Sequence, residues 1–187
     1  MMQNKVQIFG ITGATGSGKS YIAALFKTYD PNTSIINVDK IAHCILKNEA
    51  YEEIVQTFGK TILNNDNSID RKKLGTIVFK NKKELHKLNS IVQSYITKNV
   101  YTIVSKKINS HISYTPCTIV IDAALLVELN LHLICDNIIL VLSNKKLQIE
   151  RIKERDNLTA TLAQDRVNSQ RNFNDILNIA NIVIRNN

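Results

Sequence analysis

The eight residues from Gly13 to Ser20 read GATGSGKS, a G-x-x-x-x-G-K-S pattern that follows the short apolar run KVQIFGIT. The residues after it, KSYIAALFKTY, have their apolar side chains at helical spacing. Glycines between a strand and a helix allow several backbone N–H groups to face one anion, because they tolerate unusual dihedral angles and carry no obstructing side chain. The stretch therefore predicts a strand, a phosphate-binding loop and a helix.

Each part of this loop has its own expected task. The helix N-terminus adds partial positive charge, Lys19 can reach the β- and γ-phosphates, and the Ser20 hydroxyl can ligate Mg²⁺. A chance glycine turn is the alternative, and the strand-loop-helix context argues against it. We predict that a nucleotide is bound by Gly13, Ala14, Thr15, Gly16, Ser17, Gly18, Lys19 and Ser20.

The remainder of the chain alternates apolar runs with helical patterns. Four further strands are predicted in SIINVD, CTIVIDAALLV, NIILVLS and NIVI, whereas the residues from 39 to 115 are helical in pattern. Gly59 is expected to end one helix, and Asn81 with Glu84 is expected to begin a long one. The pattern predicts an α/β fold with a five-stranded parallel sheet flanked by helices.

Two aspartates and a group of arginines are candidates for chemistry. Asp39 and Asp122 end candidate strands, at the edge where open α/β sheets bind their ligands. Asp39 could accept a hydroxyl proton and Asp122 could hold Mg²⁺, although either could instead cap the next helix. The arginines could stabilise charge on a transferring phosphoryl group or form a solvated helix face, and they are Arg151, Arg155, Arg166 and Arg171.

Composition narrows the choice of partner only a little. The formal net charge of +8 favours polyanions, but the basic residues are dispersed and the chain has no Trp, so a nucleic-acid partner is not expected. The 3 cysteines and 4 histidines show no disulfide or zinc spacing. Apolar runs stay shorter than a membrane span, and the sequence is typical of a cytoplasmic protein without a membrane partner.

The order of several motifs resembles that of the dephospho-coenzyme A kinase family over essentially the whole chain. The matching segments are GITGATGSGKS, INVDKIA, IDRKKLGTIVF, IDAALLVE, IERIKERDNLT, RVNSQ and ANIVIRN. The resemblance implies ATP-dependent phosphorylation of the ribose 3′-hydroxyl of dephospho-coenzyme A, with Mg²⁺, in a three-layer P-loop kinase fold. It also implies a core at about 1–38, 116–145 and 172–187, an acceptor-binding insertion at about 39–115 and a lid at about 146–171. The length of 187 residues predicts a single domain, and we expect a monomer or weak homo-oligomer.

The resemblance also assigns roles to individual residues. Asp39 is similar to the family's general base and Asn186 to a residue near the adenine, while Asp122 belongs to the D..LL segment. Lys19 and Ser20 are similar to its phosphate and metal residues. Arg151 and Arg155 would act in catalysis from the lid, and the acceptor would be bound by Asp39, Arg71, Asp122 and Arg166.

Four features depart from the family pattern. Asn37 stands where an acidic residue is usual, Ala123-Ala124 replaces Ile-Pro, and Gln93-Ser94 replaces His-Pro. We also expect the usual closing helix after IRNN to be absent. A kinase with another acceptor, such as a nucleoside monophosphate, and a non-catalytic ATP- or coenzyme A-binding module therefore remain alternatives. A nucleic-acid-binding role comes last.

Overall fold

The fold is described from a computed structural model, which covers residues 6–45, 48–78, 81–110, 117–168 and 173–187. Within these ranges the side chains of His43, Arg71 and Asn174 are not described. The described residues divide into two compact units, one with the residues up to Asn37 and from Lys107 onward, the other spanning Val38–Lys106.

The first unit is built on a parallel sheet of five strands, as the sequence predicts. The strands are β1 (Val6–Gly13), β2 (Ser34–Asn37), β3 (Cys117–Asp122), β4 (Asn137–Leu142) and β5 (Ile182–Arg185), in the spatial order β2-β3-β1-β4-β5. Parallel pairing brings all carboxyl ends to one edge, and β1 in the centre ends there at the glycine loop. This edge is where open α/β sheets bind ligands.

Helix α1 (Lys19–Tyr29) follows the loop and packs on the sheet. Its Ile22 and Ala23 form one cluster with buried side chains of β1, β3 and β4, which include Ile11 and Val141. The central strands are buried along nearly their whole length, as expected where a parallel sheet is covered on both faces. This packing fixes the end of β1, and therefore the start of the loop.

Two helices near the carboxyl end of the chain pack on each other. Helix α6 (Lys145–Asp156) begins at the cap Asn144, whose side chain accepts a hydrogen bond from Leu147 N, and α7 (Ala160–Asn168) follows it. Ile152, Ala163 and Val167 form their shared buried cluster. A short helix, α8 (Asn174–Leu177), precedes β5.

The second unit is helical, as the sequence predicts for this region. It contains α2 (Val38–Ile45), α3 (Tyr51–Phe58), α4 (Arg71–Val78) and most of α5 (Lys82–Ser110). Gly59 ends α3 with a φ of 80°, and Asn81 begins α5 by accepting a hydrogen bond from Lys83 N at 2.9 Å. Both helix boundaries predicted from the sequence are confirmed.

Two predicted strand ends are wrong. The sequence extends the CTIVIDAALLV strand to Val127, whereas β3 ends at Asp122 and a turn follows. The sequence places Asp39 at the end of a strand, whereas β2 ends at Asn37 and Asp39 lies in the first turn of α2. Val38 is 2% exposed and begins the helix directly, without a connecting loop. Among the described helices, none has both the length and the apolar character needed to cross a membrane.

Candidate active site

The three glycines of the loop each take a backbone conformation that a larger residue would adopt only under strain. Their φ angles are 147° at Gly13, 79° at Gly16 and 92° at Gly18. A Cβ atom at Gly16 would lie 2.8 Å from the carbonyl oxygen of Gln148 on α6, so the loop approaches this helix as closely as backbone atoms allow. The glycines are thus required by conformation and by space.

The loop ends at the N-terminus of α1, with Gly18 as the N-cap in a left-handed conformation. Because glycine has no side chain, it leaves the first N–H groups of the helix without a side-chain cap, and these groups and the helix dipole favour an anion. Lys19 is only 8% exposed, and its Nζ donates to the Ala14 carbonyl oxygen at 3.2 Å across the loop. The loop therefore presents a cation and uncapped amides together.

Ser20 and Asp122 meet at the carboxyl edge of the sheet. Ser20 Oγ donates to Asp122 Oδ2 at 2.7 Å, and Asn37 Nδ2 donates to the same oxygen at 3.2 Å. The register of β2 on β3 places Asn37 beside Asp122, which is 3% exposed. Two predicted metal residues are thereby brought together, and an amide occupies the position where the family pattern has an acid.

The turn after Asp122 is tied to β1 even without the proline of the family pattern. Ala123 N donates to the Ile11 carbonyl oxygen at 3.0 Å, and Thr12 Oγ1 donates to that of Ala124 at 3.3 Å. These bonds hold the segment close to the start of the loop.

Arg151 lies among oxygen atoms beside the loop. Its Nη1 is 3.2 Å from the Gly16 carbonyl oxygen, 3.4 Å from that of Ser17, 3.3 Å from Ser143 Oγ and 3.2 Å from the Asn186 carbonyl oxygen. Asn186 also donates through Nδ2 to the Ser17 carbonyl oxygen at 3.0 Å. The structure therefore brings Arg151 and Asn186 to the loop from separate elements.

Arg155 and Arg166 share a different partner, Asp156. Arg155 donates Nε and Nη2 to its two carboxylate oxygens at 2.7 and 2.9 Å, and Arg166 Nη1 lies 2.6 Å from Oδ2. The hydrogen bond from Arg155, followed by the charges of both arginines, lowers the pKa of Asp156 below its usual value. Arg155 and Arg151, one turn apart on α6, thus belong to separate groups of contacts.

The structure describes the other three predicted residues, Asp39, Arg71 and Arg171, to different extents. Asp39 lies in the second unit, in the first turn of α2. Arg71 is the first residue of α4, but its side chain lies outside the described residues, as does the whole of Arg171. The aspartate of the DRKKL segment has a clear structural task, because Asp70 Oδ1 caps α4 by accepting from Lys72 N and Lys73 N at 2.8 and 3.1 Å.

Sequence reasoning missed three participants: Ser143, Gln148 and Asp156. Ser143 is a contact of Arg151, Gln148 packs against Gly16, and Asp156 joins two arginines. Only the role of Asp156 could have been predicted from the sequence, because an acidic residue next to basic residues of a helix commonly forms ion pairs with them. The other two act at positions that only the fold reveals.

Comparisons with known proteins point to one family. The family model for dephospho-CoA kinase, CoaE, matches residues 7–187. A dephospho-CoA kinase from Fusobacterium nucleatum is 37% identical over 97% of this chain and 90% of its own length. One from Oceanobacillus iheyensis is 32% identical over 96% of this chain and 88% of its own length.

Solved structures support the fold. TT1252 from Thermus thermophilus superposes with a TM-score of 0.79 at 22% identity, over 98% of this chain and 90% of that one. The dephospho-CoA kinase from Campylobacter jejuni gives a TM-score of 0.58 at 28% identity, over 100% and 90% of the two chains. With the phosphate loop, the sheet order and these matches in agreement, the chain belongs to the dephospho-CoA kinase family.

Proposed function

We propose that this chain transfers the γ-phosphoryl group of ATP to the ribose 3′-hydroxyl of dephospho-coenzyme A, giving coenzyme A and ADP. Kinases of its family use ATP and catalyse the final step of coenzyme A biosynthesis. The observation that carries the proposal is the Ser20–Asp122 contact of 2.7 Å, formed directly after the glycine loop at the carboxyl edge of the sheet. We place the reaction in the cytoplasm, whose reducing conditions preserve the thiol of the acceptor.

The phosphates of ATP bind over the loop from Gly13 to Ser20. The glycines, with Ala14 and Thr15, present backbone N–H groups, and α1 adds the positive end of its dipole. Ser17 shapes the loop instead, because its N–H donates to the Ala14 carbonyl oxygen at 3.1 Å. Lys19 supplies a full positive charge; on binding, its ammonium exchanges the Ala14 carbonyl for phosphate oxygens. Asn186, which contacts the loop, supports placement of the nucleoside end beside it.

Ser20 and Asp122 form a donor set that suits Mg²⁺. They offer a hydroxyl and a carboxylate oxygen in contact with each other, and Mg²⁺ favours such oxygen ligands when phosphates and water complete its shell. When bound there, the ion supplies charge that neutralises the β- and γ-phosphates. The protein's part is to hold both oxygens on the ends of adjacent elements, β3 and α1.

Asp39 acts as the general base for the acceptor hydroxyl. It lies in the first turn of α2, two residues along the chain from Asn37, which contacts Asp122. A carboxylate that accepts a hydrogen bond from the hydroxyl orients it for in-line attack and takes its proton as the bond to phosphorus forms. Arg71 and Arg166, with Asp122, are the proposed acceptor contacts.

Arg155 and Arg166 work from the lid formed by α6 and α7. Their contacts with Asp156 keep the two guanidinium groups near one another, with side chains that are 57% and 50% exposed. Exposed arginines gathered in this way can reach phosphate oxygens and help to exclude water, the competing nucleophile.

The test is an ADP-release assay with Mg-ATP and a panel of acceptors. We expect ADP formation with dephospho-coenzyme A and none above background with nucleoside monophosphates, and mass spectrometry should identify coenzyme A as the product. ADP formed only with a nucleoside monophosphate would establish a different kinase. ATP binding without turnover on any acceptor would establish a non-catalytic module.

Asp39→Asn tests the base within the same assay. The variant should bind ATP with wild-type affinity and lose at least about a hundredfold in kcat, in the range that general-base catalysis contributes. Glu52→Gln is the matched control, because Glu52 is an exposed acid in the first turn of α3 and should leave kcat unchanged. Retained turnover in Asp39→Asn would refute the assignment.

A further inference from the structure

Arg151 has an unusual number of oxygen neighbours for one nitrogen. Four oxygens surround its Nη1 at 3.2 to 3.4 Å, and they come from the loop, from Ser143 and from Asn186. A guanidinium Nη carries two hydrogens, so each must be shared between acceptors, and the positive charge holds the group together. The nitrogen therefore joins three separate segments of the chain at one point.

The two loop oxygens in this shell are the carbonyls of Gly16 and Ser17. In a planar trans peptide, a carbonyl and the N–H group that follows it point in opposite directions, and the described peptide bonds are trans. A Ser17 carbonyl directed at Arg151 therefore turns the N–H of Gly18 to the opposite side. A phosphate-binding loop depends on the direction of these N–H groups.

Asn186 also helps to fix the direction of the Ser17 carbonyl. Its Nδ2 donates to the Ser17 oxygen at 3.0 Å, while its own backbone N donates to the Leu142 carbonyl oxygen at 2.8 Å, at the end of β4. A Cβ atom at Gly18 would collide with Asn186 Nδ2. The backbone of Asn186 is thus bonded to the end of β4, and its side chain packs against the loop.

Arg155, one turn along the same helix, differs from Arg151 in its contacts and its exposure. Its guanidinium pairs with Asp156 and its side chain is 57% exposed, whereas Arg151 is partly buried and bound to backbone. Arg151 directly contacts the loop carbonyls of Gly16 and Ser17. Its location suits a residue that shapes the loop.

We propose that Arg151 and Asn186 are positioning residues for the nucleotide: they hold the Ser17 carbonyl on the outer side of the loop and so direct the N–H group of Gly18 toward the phosphates. This inference rests on the proposed ATP-dependent function. Arg151 acts through the loop, and its effect is the same on any ligand whose phosphates lie there. ATP and ADP are therefore affected alike.

The test compares nucleotide affinity with turnover in three variants. Isothermal titration with ADP and with ATP, and steady-state kinetics with dephospho-coenzyme A, are measured for Arg151→Met, Arg151→Lys and Asn186→Ala. Lys153→Met is the control, because it removes an exposed charge from the same helix. Thermal unfolding of each variant reports whether it is folded.

We expect Arg151→Met to weaken ADP and ATP by the same factor of about tenfold or more, the usual effect of losing a charged hydrogen-bond donor. KM for ATP should rise by a similar factor while kcat stays within about threefold, because binding is lost equally in ground and transition states. Arg151→Lys and Asn186→Ala should show smaller losses with the same pattern. Lys153→Met should match the wild type.

A fall in kcat with unchanged ADP affinity would overturn the proposal, because that pattern belongs to an arginine that touches only the transferring phosphoryl group. If Arg151→Met fails to fold, the ADP affinities of Arg151→Lys and Asn186→Ala decide the question, and wild-type affinity in both would overturn it. Failure of the wild type to bind ATP or ADP would instead refute the proposed function.

Discussion

Replacing Gly16 with alanine puts a methyl group where the loop meets α6. The φ angle at this position is 79°, and the added Cβ would lie 2.8 Å from the carbonyl oxygen and 3.0 Å from the Cα of Gln148. Both are backbone atoms within a helix, so neither can rotate away. Since carbon atoms pack at about 3.5 Å or more, the loop or the helix must shift by about half an ångström.

The expected cost has two parts. An L-residue in a left-handed conformation costs about 1–2 kcal/mol, and forcing a group into a filled space adds about 1–3 kcal/mol. The first part alone lowers the Tm by about 2–8 °C in a chain of this length. The second part moves the loop, so ATP affinity should fall about tenfold or more, equivalent to about 1.4 kcal/mol.

Gly59→Ala separates these two effects. Gly59 has a φ of 80°, but the nearest atom to its Cβ position is Thr61 Oγ1 at 4.0 Å, so alanine there meets strain without a collision. The assays are thermal unfolding and titration calorimetry with ATP. Gly59→Ala should lose Tm and keep wild-type ATP affinity, whereas Gly16→Ala should lose both.

Wild-type ATP affinity in Gly16→Ala would refute the reasoning. It would mean that the loop accommodates the methyl group without moving its N–H groups, and that close contact with α6 does not set the shape of the loop.

Three further predictions concern charge and protonation. Asn37→Asp places a second carboxylate against Asp122, so its Tm should fall without Mg²⁺ and be restored by millimolar Mg²⁺ in a thermal-shift assay; a deficit unaffected by Mg²⁺ would contradict this. The Arg155 pairing lowers the pKa of Asp156 in the folded state, so its stabilisation is present above about pH 4 and lost below it. The Tm gap between wild type and Asp156→Asn should therefore close from pH 7 toward pH 3, and a constant gap would contradict it. Burial raises the pKa of the Cys135 thiol to about 12, so iodoacetamide at pH 8 should modify exposed Cys44 well before Cys135, as followed by mass spectrometry; equal rates would contradict this.

The sheet could be predicted because its strands follow a simple physical rule. Strands of a parallel sheet are buried on both faces, so they stand out as short β-branched apolar runs such as CTIVID and NIILVL. The loop could be predicted because positive φ angles and close backbone approach leave glycine as the only good choice. Both signals are carried by side chains, or by their absence.

The end of β2 was beyond the same reasoning. Val38 is β-branched and apolar, which suits a strand, yet it begins α2 and is buried there. Burial by the surrounding fold decided between two conformations that the local residues permit almost equally. Asp39 is consequently in a helix.

The partners of Arg151 were hidden for a different reason. Three of its four acceptors are backbone carbonyls, which every residue possesses, so no sequence pattern can identify them. The pairing of Asn37 with Asp122 depends in turn on strand register. Sequence showed which residue types were present, and the fold determined which of them meet.

The most direct test of the account is ³¹P nuclear magnetic resonance of a reaction containing the wild-type protein, Mg-ATP and dephospho-coenzyme A. We predict that the γ-phosphate signal of ATP is replaced by that of a ribose 3′-phosphate monoester, in equal amount to the ADP formed. Release of inorganic phosphate without a new monoester, or an unchanged ATP spectrum, would contradict the central claim that this loop and its Ser20–Asp122 pair serve phosphoryl transfer to dephospho-coenzyme A.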